Sequence, residues 1–224
     1  MRSAAFDHFV RDAVRRIDDP QAIAERLRPL LGTDGWLSPE HQQGSADGYR
    51  QHVLHVSECR RLSVVALVWL PGQATPIHDH VSWCVVGVHR GREHETHFRE
   101  VEHEGRRRLV AAGEVEAGPG HVEALVPPAG NIHVVRATGA EKTISIHVYG
   151  ADIERRGTSI LRTFDAGDVL PGGQAERAAA GAIASTTRAS SGWSSASPSA
   201  VTSTRSCRGR ASSTSARPFA VSSV

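Results

Sequence analysis

PGQATPIHDHVSWCVVGVHRG, residues 71–91, decides the reading of this chain. The turn dipeptide Pro71-Gly72 opens it and Gly91 closes it; between them stand His78 and His80, followed by the apolar run of residues 83–89. Glycine and proline bounding a short β-branched run mark a strand rather than a helix. On a strand, side chains two positions apart project from one face, so His78 and His80 point the same way. If that strand lines a barrel, the shared face is the lumen, where two imidazoles can hold one metal ion.

Outward from this segment the same grammar repeats. Apolar β-type runs occupy residues 52–56, 62–70, 94–98, 107–112, 122–127, 132–137 and 142–150. Gly105, Gly113, Gly118-Pro119-Gly120 and Pro127-Pro128 stand between several of them. Many short strands with regular turns and no intervening helices predict a β-sandwich or barrel. Residues 1–38 differ. Phe6, Val10, Ala13 and Ile17 recur at helical spacing, Asp19-Pro20 gives a stop and a restart, and a second helix is expected from Pro20 to about Leu30. The expected architecture is mainly β, a jelly-roll barrel over residues 39–170 with an N-terminal helical cover.

Residues 171–224 are made of other material. Residues 181–224 contain 19 serines and threonines, and from Pro171 onward there are six arginines and one glutamate. Such a segment cannot bury enough apolar surface to offset its chain entropy, and it reads as a disordered C-terminal tail. The 170 residues before it carry a net charge of −3, whereas the whole chain is at +2. A mildly acidic folded part argues against nucleic acid as a partner. No apolar stretch is long enough to span a membrane, no secretory signal is evident, and the three widely spaced cysteines do not suggest a disulfide framework. The expectation is a cytoplasmic protein that acts on small molecules and shows no sign of an obligate protein partner.

All 13 histidines precede Gly150, and only spacing singles any of them out. The run from Gly72 through His78, Asp79, His80 and Cys84 to Gly91 resembles the first motif of the cupins. Cys84 stands where many cupins have a glutamate ligand. The kernel Pro128-Ala129-Gly130-Asn131-Ile132-His133 resembles the second cupin motif, although its upstream glycine is displaced and Ala137 replaces the usual asparagine. That resemblance adds His133 to His78 and His80, giving three neutral nitrogen ligands and no carboxylate. Imidazoles suit several divalent metals, and a three-histidine set leaves coordination positions open. Zinc on such a set could instead activate water.

Four segments, TPIHDH, SWCVVGVHRG, GNIHVVRA and SIHVYGADI, resemble the cysteine dioxygenase family over approximately residues 49–165. The resemblance implies Fe(II) on His78, His80 and His133, and oxidation of a small thiol to its sulfinic acid with both oxygens taken from O2. It further implies that Ser145, His147 and Tyr149 form a hydrogen-bonded relay, with the tyrosine hydroxyl near the iron. The bland alternative is a strand whose polar residues face solvent. Cys84 lies near the place where eukaryotic members carry a cysteine cross-linked to that tyrosine; a small buried thiol is the other reading. Gln51 matches the position at which cysteine-specific members use arginine, which resembles the subgroup that prefers 3-mercaptopropionate. A later arginine, Arg156 or Arg162, would then hold the substrate carboxylate, since a guanidinium offers a bidentate fork. Two other classes stay open: a metal-dependent cupin hydrolase or isomerase, and a non-catalytic ligand-binding cupin.

Overall fold

The computed structural model describes residues 3–172 except Ala129. The expected tail therefore lies outside the described residues beyond Gly172. Two helices come first, α1 (Ala4–Arg15) and α2 (Pro20–Leu31). Ser3 caps α1 by accepting from the Phe6 amide at 3.2 Å, and Asp19 caps α2 by accepting from the Ala22 amide at 3.0 Å. Each cap satisfies an otherwise orphaned amide and is worth ~1 kcal/mol. The stop and restart at Asp19-Pro20 is present as expected.

Ten strands follow among the described residues: β1 (Arg50–Val56), β2 (Ser63–Trp69), β3 (Ile77–His80), β4 (Cys84–Arg90), β5 (Glu93–His103), β6 (Arg106–Ala117), β7 (Val122–Leu125), β8 (Ile132–Ala137), β9 (Thr143–Tyr149) and β10 (Ile160–Phe164). A one-turn helix, α3 (Ile153–Arg156), lies between the last two. They form two five-stranded sheets, ordered β1-β2-β9-β4-β7 and β10-β3-β8-β5-β6, with antiparallel pairing within each. The partnering of β2 with β9 and of β3 with β8, far apart in sequence, gives the jelly-roll topology that the strand pattern predicts.

The first sheet is buried on both faces, which explains why its central strands read as continuous apolar runs. Val64, Ala66 and Val68 of β2, with Ile144, Ile146 and Val148 of β9, pack beneath α1 and α2 against Phe6, Ile23, Leu27 and Leu31. The alternate residues Val65, Leu67 and Trp69 face the lumen together with Cys84, Val86, Leu125 and Tyr149. A helix can lie this close because β4 has a glycine beneath it. A Cβ on Gly87 would stand 2.7 Å from Leu31 Cδ1 and 2.9 Å from Leu27 Cδ2. Gly91 serves another need, turning the chain out of β4 at φ +78° where a Cβ would meet Thr143 Cα at 2.7 Å. Trp83 packs on the helix-side core, as its reading as a core residue anticipates.

The structure departs from the sequence reading in two places. β5 and β6 run for 11 and 12 residues, about twice the expected length, and are joined by Glu104-Gly105 with both φ angles positive. That is the signature of a tight hairpin turn, and charged residues continue the ladder where apolar content ends. β10 has no counterpart in the expected strands. Cys84 is free and buried.

Candidate metal centre

β3 is only four residues long, yet its period-2 alternation does the work expected of it. His78 and His80 turn into the lumen, 4% and 3% exposed, while Asp79 turns to the outer face. His133 of β8 stands directly across the ladder from His78. The three rings make a near-equilateral triangle, with centroid separations of 4.8, 4.7 and 5.0 Å. One nitrogen from each lies within 4.8 Å of the others.

The outer nitrogens of the three rings decide what the inner ones can do. His78 Nδ1 lies 3.0 Å from Pro76 O, His80 Nδ1 lies 3.0 Å from Asn131 Oδ1, and His133 Nδ1 lies 2.9 Å from Glu95 Oε2. Each partner is an acceptor, so each Nδ1 carries the proton and each Nε2 presents a lone pair. Burial, and then repulsion among the rings, holds His78 and His133 well below the usual imidazole pKa; burial lowers His80 as well, against the pull of Asn131 and nearby carboxylates. Three converging neutral donors with oriented tautomers fit a divalent transition ion. Asn131→Ala is expected to weaken metal binding by about 10- to 100-fold with little change in unfolding midpoint. Competition with a chelator measures it, and wild-type affinity would remove Asn131 from this role.

Beside the triad runs the row on β9. Trp69 Nε1 donates to Ser145 Oγ at 3.1 Å, Ser145 Oγ is 3.0 Å from His147 Nε2, and Tyr149 Oη is 3.2 Å from His147 Nδ1. All three residues of the row are buried, so the solvent-facing alternative is excluded. Two tautomers of His147 satisfy the row. In one the phenol donates to Nδ1; in the other Ser145 donates to Nε2, and the phenol proton is free to point into the cavity. Burial pushes the Tyr149 hydroxyl well above its usual pKa, and it holds His147 well below its own. Tyr149 is therefore a neutral donor, its ring 6.1 Å from that of His80. Cys84 lies directly across from Tyr149 in the β4–β9 ladder, with its Sγ 3.8 Å from His147 Nδ1 and its pKa raised well above normal by burial.

The cavity over the triad is lined by Gln51 together with Tyr49, Trp69, Thr75 and Ser159. It does not bring in either candidate arginine. Arg162 lies across Asp79 on the outer face of β3, where its backbone amide and Nε each donate at 2.7 Å, and it also reaches Glu100 at 3.2 Å. Arg156 is exposed at the end of α3. The assignment of substrate binding to Arg156 or Arg162 is corrected for that reason: one guanidinium is held by two carboxylates and the other is in solvent. No lysine or arginine lines the cavity among the described residues. Asn131 and Glu95, which orient two of the ligands, were missed by the sequence reading. For Glu95 the signal was Glu93-x-Glu95-x-His97, three polar residues on one face of a strand.

No protein-family model matches the chain. Solved structures similar to it include a cupin superfamily protein from Desulfitobacterium hafniense, at 12% identity and TM-score 0.36 over 48% of this chain and 81% of that one. An RmlC-like cupin from Desulfovibrio desulfuricans matches at 19% identity and TM-score 0.34, over 53% and 97% of the two chains. A Klebsiella pneumoniae protein with a double-stranded β-helix domain matches at 19% and TM-score 0.36, over 49% and 77%. These likenesses are too distant to carry chemistry. No helix among the described residues is long and apolar enough to cross a membrane. The chain has a jelly-roll fold of two antiparallel sheets whose lumen holds a histidine triad able to bind a metal ion.

Proposed function

We propose that the chain is a thiol dioxygenase that uses Fe(II) and O2 to convert a small thiol, 3-mercaptopropionate or L-cysteine, to its sulfinic acid. The observation that carries this reading is the buried Ser145-His147-Tyr149 row ending beside the histidine triad. A hydrolase or a passive binding cupin has no need of that row. His78, His80 and His133 would hold the iron, which supplies the one-electron chemistry that O2 requires.

The remaining work falls to the chain. Tyr149 offers a neutral hydroxyl at the cavity wall, and the row behind it can take up or return a proton through His147. Trp69, Leu67 and Val135 line the cavity with apolar surface, which limits water near the reacting groups. Gln51, Tyr49 and Ser159 offer neutral hydrogen-bond donors to a substrate carboxylate. Gln51 in that place favours 3-mercaptopropionate over L-cysteine within this reading. The buried Cys84 thiol, facing Tyr149, is placed to restrict the phenol's motion.

Oxygen uptake by the Fe(II)-loaded chain, measured side by side with both thiols, tests the proposal. Saturable uptake matched by sulfinate supports it; no uptake with iron demonstrably bound sinks it for these thiols. Tyr149→Phe is expected to retain iron and lose about 100-fold or more in turnover. Full activity in that variant would remove the phenol from the mechanism.

A further inference from the structure

Beside the triad lies a second group of side chains able to ligate a metal. The lumen-facing row of β5 runs from Glu93 through Glu95 to His97, and β7 presents Glu123 towards it. One ligand atom from each of Glu95, His97 and Glu123 lies within 4.8 Å of the other two. His97 Nε2 is 3.8 Å from Glu95 Oε2 and 3.8 Å from Glu123 Oε2.

These separations are informative because they are too long for hydrogen bonds. A proton shared between imidazole and carboxylate draws the heavy atoms to roughly 2.7–2.9 Å. Here His97 Nε2 is buried and has no hydrogen-bond partner, and neither has His121 Nε2, which lies at the entry to β7 close enough to act on both carboxylates. Glu95 and Glu123 repel one another, and no lysine or arginine pairs with either among the described residues. Two carboxylates and one unpartnered imidazole nitrogen thus face one another with no lysine or arginine to offset them. An ion with ligand bonds of about 2.0–2.2 Å would bridge gaps of this size after a contraction of a few tenths of an ångström.

We propose that Glu95, His97 and Glu123 form a second metal site, for a divalent first-row transition ion that accepts mixed nitrogen and oxygen donors. Imidazole in the set favours Zn2+, Mn2+ or Co2+ over Mg2+ and Ca2+. The site does not depend on which reaction the triad serves. It is nevertheless joined to the triad, because Glu95 Oε2 also accepts from His133 Nδ1 at 2.9 Å. A carboxylate shared in this way lets occupancy of one site change how firmly a ligand of the other is oriented.

The test is a count of ions. The full metal-free chain is titrated with Co2+ by calorimetry, and bound cobalt is counted after gel filtration. Two ions per wild-type chain are expected. Glu123→Gln, isosteric and at a partly exposed side chain, should leave one; His97→Gln should do the same if Glu123→Gln proves poorly folded. His78→Ala should also leave one, and its cobalt absorption spectrum should differ from that of Glu123→Gln because a different site remains filled. One ion per wild-type chain, or two retained by both Glu123→Gln and His97→Gln, overturns the proposal. Failure of thiol oxidation with two ions bound would fall on the dioxygenase reading alone.

Discussion

His133→Ala is expected to release the metal from the triad and end thiol-dependent oxygen uptake. The side chain is 2% exposed and supplies one of three donors, so its loss removes a ligand outright instead of misorienting one. Affinity should fall well beyond the ~10- to 100-fold typical of losing a supporting partner. The variant also leaves Glu95 without its 2.9 Å contact and opens a gap opposite His78. Iron content after gel filtration reports the effect, with the unfolding midpoint as the control for folding. Iron retention equal to wild type would mean that the triad is not the metal centre.

Glu93→Gln should change how stability depends on pH, and the sign follows from its burial. Glu93 is 0% exposed, both carboxyl oxygens lack hydrogen-bond partners, and its pKa is raised to about 8 by burial first and by Glu95 second. The Ser145 hydroxyl, engaged by Trp69 and His147, relieves this only weakly. Between an unfolded value near 4.5 and the folded value near 8, the native state keeps the proton that the unfolded chain has lost. Stability from this group is therefore complete below the lower value and declines as pH rises through the upper one, at up to ~1.4 kcal/mol per pH unit. Glutamine carries no such proton. The stability difference in favour of the variant should be small at pH 5 and grow to several kcal/mol by pH 8, by the same linkage. Denaturant midpoints at the two pH values measure it, and a difference independent of pH would show that Glu93 is not a neutral acid in the native protein.

Most of the barrel was legible because its pattern is local. Alternation in residues 143–149 assigns Ser145, His147 and Tyr149 to one face, and His78 and His80 need only the same rule. The hidden parts depend on partners far away in sequence. Residues 160–164 contain Arg162 and an exposed Leu161, a weak strand by composition; their place is set by Asp79, more than 80 residues earlier. Glu95 sits in a run of charged residues that reads as solvated surface, and it is buried only because β8 lies alongside β5 and brings His133 to it. The arginine assignment failed for a related reason. A guanidinium following β9 could have turned into the cavity, but the buried carboxylate between the two histidines competes for it from the outer face.

That outer-face contact bears on where the chain can be cut. β3 meets β8 in register only at His78 and His133, whereas β10 pairs with all four β3 residues, and its Arg162 fastens Asp79 at 3% exposure. A truncation between Tyr149 and Phe164 would keep every histidine of the triad and every residue of the β9 row. It would still strip away the clasp that keeps two of those histidines on a straight four-residue segment. The smallest piece able to hold the ion is thus longer than the span of its ligands, and its far boundary lies beyond Phe164.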